Sequence, residues 1–237
     1  MQAGPLTSTR FVPLVMQTPL MIRTIIAAAC IAISSADAAS PTVESKDGNI
    51  IFHTVQGDTK TLTTSGKDSA PVLSPDGKWI VFTRAIPGKK IATGAGEFDA
   101  QELWQIDAAG KDPVLLVKPR DSTEVKELIS TFRNVQFSTD GRLVYFDTPA
   151  WATSGAVHVV DTTNGKERFL VPGDGLKVIR TGDYKDHLLL GQHRYFLGGG
   201  SYDWLWLFDP TGKEIGPIGE DPSMFMETYC PDEAAKE

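Results

Sequence analysis

Ser201 lies in a segment, Gly199-Gly200-Ser201-Tyr202-Asp203, that begins like the turn presenting a nucleophilic serine in many hydrolases. In that turn a second glycine stands two positions after the serine, and the segment joins a strand to a helix. Here Asp203 replaces the second glycine, and no helix-forming sequence follows. The segment therefore predicts a flexible loop, and we do not assign Ser201 as a nucleophile.

The four histidines do not form a metal-binding pattern either. His187 and His193 are six residues apart, so a continuous strand would place both on one face. Zinc requires three or four ligands, and this pair supplies only two. His53 and His158 stand alone on predicted strands, where a structural role is the simpler interpretation. The Asp-Gly turns lack the ligand spacing of an EF-hand, and Gly198-Gly199-Gly200 lacks the strand-to-helix setting of a nucleotide-binding loop. We expect no metal, no cofactor and no catalytic residue.

A repeated turn is the most informative pattern in the chain. Residues 69–84 (SAPVLSPDGKWIVFTR) return in degenerate form as residues 133–148 (RNVQFSTDGRLVYFDT). Each copy has a short apolar strand, then Ser-x-Asp-Gly and a basic residue, then an aromatic-rich strand. Glycine accepts the positive φ at the end of a tight turn, so each copy predicts a β-hairpin. A weaker third turn is Tyr184-Lys185-Asp186-His187.

A second type of turn, Asp followed by Gly-Lys, alternates with the first. It occurs at residues 107–111, 161–166 and 209–213, with an earlier relative at 56–59. The two turn types predict units of four short strands, in which a longer loop joins the second strand to the third. The units cover about residues 70–117, 132–171 and 176–218, and residues 49–64 supply a third and a fourth strand before them. Unit one carries a Gly- and Lys-rich insertion at 86–101, and only residues 122–130 resemble a helix.

Four-stranded antiparallel units of this length are typical of β-propeller blades. Residues 64–84 (TSGKDSAPVLSPDGKWIVFTR) resemble the repeat of TolB-type propellers, the WD40-like family of bacterial envelope and secreted proteins. Residues 133–165 resemble it less closely, and the chain after residue 175 only in its order of strands. The family closes six blades, whereas this chain supplies about three and a half.

The predicted fold is therefore all-β, a β-propeller-like array of about four blades. Three blades are complete, and the termini share a fourth if residues 223–230 pair with the N-terminal half unit, which would remove exposed sheet edges. The alternatives are an open array that dimerises and a degenerate propeller. We expect the propeller-like domain to span residues 39–230, followed by a tail at 231–237.

The longer loops and the connections between units are predicted to gather at one end of the sheets, opposite the tight turns. Variable loops on a regular scaffold are where binding residues usually lie, and exposed aromatic and arginine side chains often anchor interfaces. The alternative is that the aromatic residues cover the ends of the core. The predicted binding residues of this long-loop face are Lys89, Lys90, Phe98, Arg120, Trp151, Arg194, Tyr195, Phe196, Tyr202 and Asp203.

The N-terminal residues have the composition of a secretory signal. Arg23 precedes an apolar run at 25–33, and Ala36-x-Ala38 offers a small-residue cleavage site. The run is too short to span a bilayer as a helix, and Met21 is a more compact start for such a leader. Cys30, within the run, faintly resembles a lipidation site. Cleavage after Ala38 leaves one cysteine, Cys230, so the mature chain has no internal disulfide.

The formal net charge of −7 and the lack of a basic stripe argue against nucleic acid as a partner. We expect a secreted or periplasmic protein that binds a protein or a cell-envelope component without catalysis, with a homodimer as one way to complete the ring. The resemblance to TolB-type propellers implies envelope partners, but no partner-specific residue carries over. The alternative is a propeller hydrolase or a lactonase-like enzyme with its site at the central channel.

Overall fold

A computed structural model describes residues 40–219 and 221–231 of the chain, and these residues contain four antiparallel sheets. Three sheets have four strands and one has three, each in sequence order from strand to neighbouring strand. Blade 1 consists of β1 (Thr42–Lys46), β2 (Asn49–His53) and β3 (Thr59–Thr61). Blade 2 consists of β4 (Asp68–Leu73), β5 (Trp79–Thr93), β6 (Gly96–Asp107) and β7 (Val114–Val117). Blade 3 consists of β8 (Arg133–Phe137), β9 (Leu143–Trp151), β10 (Ser154–Asp161) and β11 (Glu167–Pro172). Blade 4 consists of β12 (Asp174–Val178), β13 (Leu188–Tyr195), β14 (Ser201–Phe208) and β15 (Glu214–Gly219).

The repeated Ser-x-Asp-Gly turns have the same hydrogen bonds in both copies. The Ser74 hydroxyl donates to Asp76 Oδ1 over 2.7 Å and accepts from the Trp79 amide over 3.0 Å. Ser138 makes the same two bonds, to Asp140 over 2.5 Å and from the Leu143 amide over 2.9 Å. These serine hydroxyls lower the pKa of both aspartates below their usual value. The motif is therefore structural, as predicted.

Blades pack face to face through three hydrophobic clusters. Successive side chains of a strand point to opposite faces of the sheet, and each face packs on a different neighbouring blade. Phe82 on β5 packs toward blade 1, whereas the adjacent Val81 packs toward blade 3. In the same way Phe146 faces blade 2 and Tyr145 faces blade 4. No hydrophobic cluster of the described residues joins blade 1 to blade 4. The predicted β-propeller-like array of four-stranded antiparallel blades is confirmed.

The first strand of blades 2, 3 and 4 (β4, β8 and β12), which we call the inner strand, is interrupted by a bulge at the same place in each blade. The pairing with the second strand shifts after Ser69, after Arg133 and after Asp174. The first residue of each bulge has a positive φ: 47° at Ala70, 49° at Asn134 and 62° at Gly175. Glycine adopts this conformation without strain and asparagine tolerates it, whereas the Cβ of Ala70 makes it strained.

Replacement of Ala70 by glycine is expected to stabilise the protein by about 0.5–1 kcal/mol, because relief of the left-handed strain outweighs the greater freedom of glycine in the unfolded chain. The Ala70 side chain is exposed, so little packing is lost. Urea denaturation measures the change. In the control, Asn134→Gly, stability falls, because Asn134 Nδ2 donates to Asp147 over 2.7 Å. An unchanged or lower midpoint for Ala70→Gly would contradict the strain argument.

Blade 1 consists of the second, third and fourth strands of a blade. Pro41, before β1, lies beside Gly77 in the tight turn of blade 2, whereas the Gly48 carbonyl, after β1, accepts from the Asp68 amide over 2.8 Å. β1 therefore runs antiparallel to β4, as second strands do. The Lys60 ammonium donates to the Ala109 carbonyl, in the turn between β6 and β7. The prediction of a third and a fourth strand at 49–64 is confirmed.

Three segments differ from their predicted structures. Residues 223–230, predicted as a possible closing strand, form helix α1 (Ser223–Tyr229), which does not pair with blade 1. The rings of Phe225 and Tyr229 pack on Tyr184, at ring-centroid distances of 5.9 and 5.1 Å. The helix thus stands over the face of blade 4 that carries Leu207, with a cavity of about 710 Å³ between them.

The insertion at 86–101 is a β-hairpin rather than a loop, since β5 and β6 remain paired out to Thr93 and Gly96. A bulge between Ala85 and Lys90 separates this arm from the body of the sheet. Ile91 of the arm is 1% exposed and packs with Leu128. The segment 122–130, predicted to form about two helical turns, contains only the short 3₁₀ helix Val125–Glu127.

Candidate binding surface at the hairpin tips

The second-to-third-strand turns of blades 2, 3 and 4 lie at the end of the sheets opposite the tight turns. This follows from the antiparallel order of the strands within each blade. The turns fall after Thr93, after Trp151 and after Tyr195. The predicted long-loop face therefore exists, but hairpin arms form it rather than irregular loops.

The arm of blade 2 reaches the tip of blade 3. The Gly94 amide donates to the Ala150 carbonyl over 2.7 Å, and a Cβ added to Gly94 would lie 2.8 Å from that oxygen. Glycine is thus required at this contact. The predicted residues Lys89, Lys90 and Phe98 lie on this arm, and Lys90 Nζ is 3.2 Å from Glu97 Oε2.

Trp151 lies at the tip of blade 3 and is only half-buried. Its ring packs edge-on against Phe169 of β11, with ring centroids 6.4 Å apart. This contact fits the interpretation that Trp151 covers the end of the core.

The arm of blade 4 carries a row of aromatic rings on the face toward blade 3. Phe196 contacts Tyr202 with ring centroids 4.5 Å apart, and Tyr202 contacts Trp204 at 4.6 Å. The Arg194 guanidinium stacks 3.3 Å above the Trp206 ring and pairs with Glu214 over 2.5 Å. The row supports the arm from one side and holds its tip in place.

The tip of this arm exposes three consecutive apolar side chains. Tyr195 is 72% exposed, Phe196 is 51% exposed and Leu197 is fully exposed. Leu197 was not among the predicted residues. Its position between two aromatic residues and a run of three glycines was the sequence signal for an exposed apolar tip. Such a patch on a soluble domain marks an interaction site more often than an isolated exposed apolar residue does.

The opposite face of the same arm is polar. His193 Nδ1 is 2.8 Å from Asp203 Oδ1, and both side chains border a cavity of about 210 Å³ together with Asp174 and Thr153. Ser201, predicted to lie in a flexible loop, is instead the first residue of β14, where it pairs with Tyr195, and its side chain is exposed.

Arg120 is not brought to the hairpin tips. Its guanidinium lies 3.0 Å from Glu167 Oε2, at the start of β11 and directly after the tight turn 161–166. It also donates to the Glu127 carbonyl over 2.5 Å. Arg120 therefore lies in the connection between blades 2 and 3 and not on a hairpin arm, and its side chain holds the 120–129 segment against blade 3. Its role in binding stays a prediction.

His158 and His53 have structural partners on separate blades. His158 is fully buried, with Nδ1 2.5 Å from Glu167 Oε1, and its ring stacks on Phe146. Burial would raise the pKa of Glu167, but the hydrogen bonds from His158 and Arg120 hold it below its usual value. His53 bonds Thr59 and Glu44 on blade 1. Among the described residues, no group of three or more histidine, cysteine or acidic side chains is placed to hold a metal ion.

Comparison with known proteins gives structural relatives only. No family model and no curated protein sequence matches the chain. The β-propeller domain of the Trilobed protease from Pyrococcus furiosus, which has an open velcro topology, is similar with a TM-score of 0.51 and 16% identity, over 74% of this chain and 49% of that one. A putative TolB from Agrobacterium tumefaciens has a TM-score of 0.48 and 14% identity, over 76% of this chain and 57% of that one.

A third relative, dipeptidyl peptidase 4 from Porphyromonas gingivalis, has a TM-score of 0.49 and 13% identity, over 76% of this chain and 32% of that one. The chain thus spans about a third to just over half the length of these proteins. Likeness at such identity shows the fold and not the activity. No helix of the described residues is long and apolar enough to cross a membrane. The described chain is an array of β-propeller-like blades, similar in fold to the propeller domain of a solved protein.

Proposed function

We propose that this protein is a non-catalytic binding module that engages a partner protein of the cell envelope through the tip of the blade 4 arm. The exposed apolar run Tyr195-Phe196-Leu197 is the observation that carries the proposal. Large, rigid aromatic side chains lose little conformational entropy on binding and bury much surface, so they anchor interfaces. The row of rings behind the tip pre-organises it for contact.

The surroundings of the tip favour a protein partner. Arg194 is paired with Glu214, and His193 with Asp203, so the arm presents no excess of positive charge. The chain as a whole is acidic, with a formal net charge of −7. Anionic polymers and anionic lipid surfaces are therefore disfavoured partners.

The protein is proposed to act in the periplasm or outside the cell. The support is the sequence pattern before residue 39, which lies outside the described residues together with Cys30. Residues 232–237 of the predicted tail also lie outside them.

The proposal is tested by crosslinking in the native host with a triple variant, Tyr195→Ser, Phe196→Ser and Leu197→Ser. We expect crosslinking to a partner to fall about tenfold or more, since anchor residues contribute about 2 kcal/mol or more each. The three side chains are exposed, so the fold of the variant should be unchanged.

A matched control carries Val55→Ser and Val114→Ser, two exposed apolar residues at the tight-turn end. Crosslinking should persist in this control. Crosslinking that survives in the tip variant and disappears in the control would overturn the proposal and place the interface at the opposite end.

A further inference from the structure

Blade 1 differs from the other three blades in its inner strand. Blades 2, 3 and 4 each begin with an inner strand, β4, β8 or β12, that pairs antiparallel with the second strand of the same blade. In blade 1 the innermost described strand is β1, which corresponds to a second strand by its direction. Among the described residues, blade 1 therefore has no counterpart of β4, β8 and β12.

The hydrogen-bonding groups on the free edge of β1 follow from the pairing in blade 1. The Ile50 carbonyl accepts from the Leu62 amide over 2.8 Å, and the Ile50 amide donates to Thr63 Oγ1 over 3.0 Å. Ile50 thus directs its backbone groups away from β1. Ser45 of β1 lies directly opposite Ile50. Val43 lies opposite Phe52, two residues further along both strands, so this pair has the same hydrogen-bonding pattern. In an antiparallel ladder such non-bonded pairs direct both backbones outward, so the amides and carbonyls of Val43 and Ser45 lie on the free edge.

These four groups have no hydrogen-bond partner within the described part of the chain. The Ser45 hydroxyl donates to the Asp68 carbonyl over 2.8 Å, which ties the side chain but not the backbone. Four of the five residues of β1 are exposed, whereas Val43 is half-buried on the cluster between blades 1 and 2. An edge with unpaired groups and an apolar side chain beside it is a template for another strand.

The other blades indicate what kind of strand fits. Their inner strands are about five residues long and place apolar residues at alternate positions, as in Val135-Gln136-Phe137 of β8. Gln136 also bonds the next inner strand, with Nε2 2.8 Å from the Leu176 carbonyl and Oε1 3.0 Å from the Val178 amide. A strand added to β1 would continue this succession of inner strands beside β4.

We propose that the inner edge of blade 1 binds an extended peptide segment of a partner protein, with alternating apolar and polar residues, as an added antiparallel strand. The segment pairs with the amides and carbonyls of Val43 and Ser45, and one apolar side chain packs beside Val43. This surface is distinct from the tip of the blade 4 arm, and the proposal does not depend on the function assigned to that tip.

The probe is a labelled, end-capped peptide with the sequence of this chain's own inner strand β8, RNVQFST, mixed with the full chain. Fluorescence anisotropy measures binding, and a peptide of the same composition in scrambled order is the control ligand. We expect saturable binding of the β8 peptide alone. Val43→Pro and Ser45→Pro each remove an edge donor without removing a bond to β2, and each should weaken binding about tenfold, the loss expected for one or two net hydrogen bonds. Thr42→Ala on the same strand should bind as the unchanged chain does.

Amide hydrogen exchange gives a second measurement that needs no variant. In the free protein the amides of Val43 and Ser45 should exchange rapidly, and the peptide should slow both. Absence of binding, or equal binding to the proline variants, would overturn the proposal. Protection of both amides before the peptide is added would overturn it as well: in a monomer it would show that the chain pairs its own edge, and in a dimer that a second copy does.

Discussion

Replacement of Arg84 by alanine is expected to destabilise the protein by about 3–5 kcal/mol at neutral pH, the usual cost of removing one partner of a buried ion pair. Asp68 is 1% exposed, and Arg84 donates to both of its carboxylate oxygens over 2.6 and 2.9 Å. The same guanidinium stacks 4.7 Å from the Trp104 ring, so packing is lost with the charge. Urea denaturation at pH 7 measures the difference.

The pH dependence identifies the unpaired carboxylate as the cause. Burial acts to raise the pKa of Asp68, but hydrogen bonds from Arg84, Thr63 and Ser65 keep it below its usual value. A lowered pKa contributes stability that is present above the unfolded value, about 3.9, and is lost as pH falls through the folded value. In Arg84→Ala, burial is expected to raise the pKa of Asp68. The carboxylate of the variant therefore takes up a proton at a higher pH than in the unchanged protein, and the cost of burying its charge is then removed. The difference in the free energy of unfolding between the unchanged protein and Arg84→Ala should therefore become smaller as the pH falls from about 7 to about 4.

Lys90→Ala is the matched control, because it removes the exposed pair with Glu97, whose side chains are 55% and 59% exposed. We expect a loss below about 1 kcal/mol for such a surface pair. If the loss of stability in Arg84→Ala does not change with pH, its cause is the lost packing on Trp104 rather than the unpaired charge of Asp68.

The strands and turns of the blades were predictable because their determinants are local. The serine, aspartate and glycine of each tight turn bond within five residues of one another, so the motif alone specifies the hairpin. The continuous apolar run Ile80-Val81-Phe82 likewise indicates a strand that is buried on both faces.

The arm of blade 2 and helix α1 were not predictable, because contacts from elsewhere in the chain determine them. Pro87-Gly88-Lys89-Lys90 has the composition of a loop, and the arm is held by Ile91 against Leu128 and by Gly94 against Ala150. The helix contains residues typical of strands and packs its aromatic rings on Tyr184. Tertiary packing overrides intrinsic propensity in such short segments.

The candidate binding surface was predictable in kind but only partly in its members. Aromatic residues near a glycine run indicated the blade 4 arm, and the exposed tip lies there. The ion pair of Arg120 was not predictable, because its partner, Glu167, is 47 residues away and belongs to another blade. Such a contact between distant parts of the chain cannot be predicted from the spacing of residues in the sequence.

Loss of a large inter-blade side chain is expected to have a different consequence at the end of the array than at its centre. Phe82 is fully buried between blades 1 and 2, and Phe146 is fully buried between blades 2 and 3. Substitution of either by alanine should cost about 3–5 kcal/mol, the range for a buried phenylalanine. In a linear array each blade is stabilised by its neighbours, and blade 1 shares a hydrophobic cluster with blade 2 alone among the described sheets.

Phe82→Ala should therefore release blade 1 while blades 3 and 4 stay folded, whereas Phe146→Ala should destabilise the array on both sides. Hydrogen exchange separates the two outcomes, since amides of β2 and β3 should lose protection in Phe82→Ala while those of β9 and β13 keep theirs. Phe98→Ala, on the half-buried part of the blade 2 arm, controls for the loss of an aromatic ring outside the inter-blade clusters. Equal loss of protection in all blades of Phe82→Ala would show that the array unfolds as one cooperative unit, and that blade 1 is as strongly coupled to the rest as a central blade.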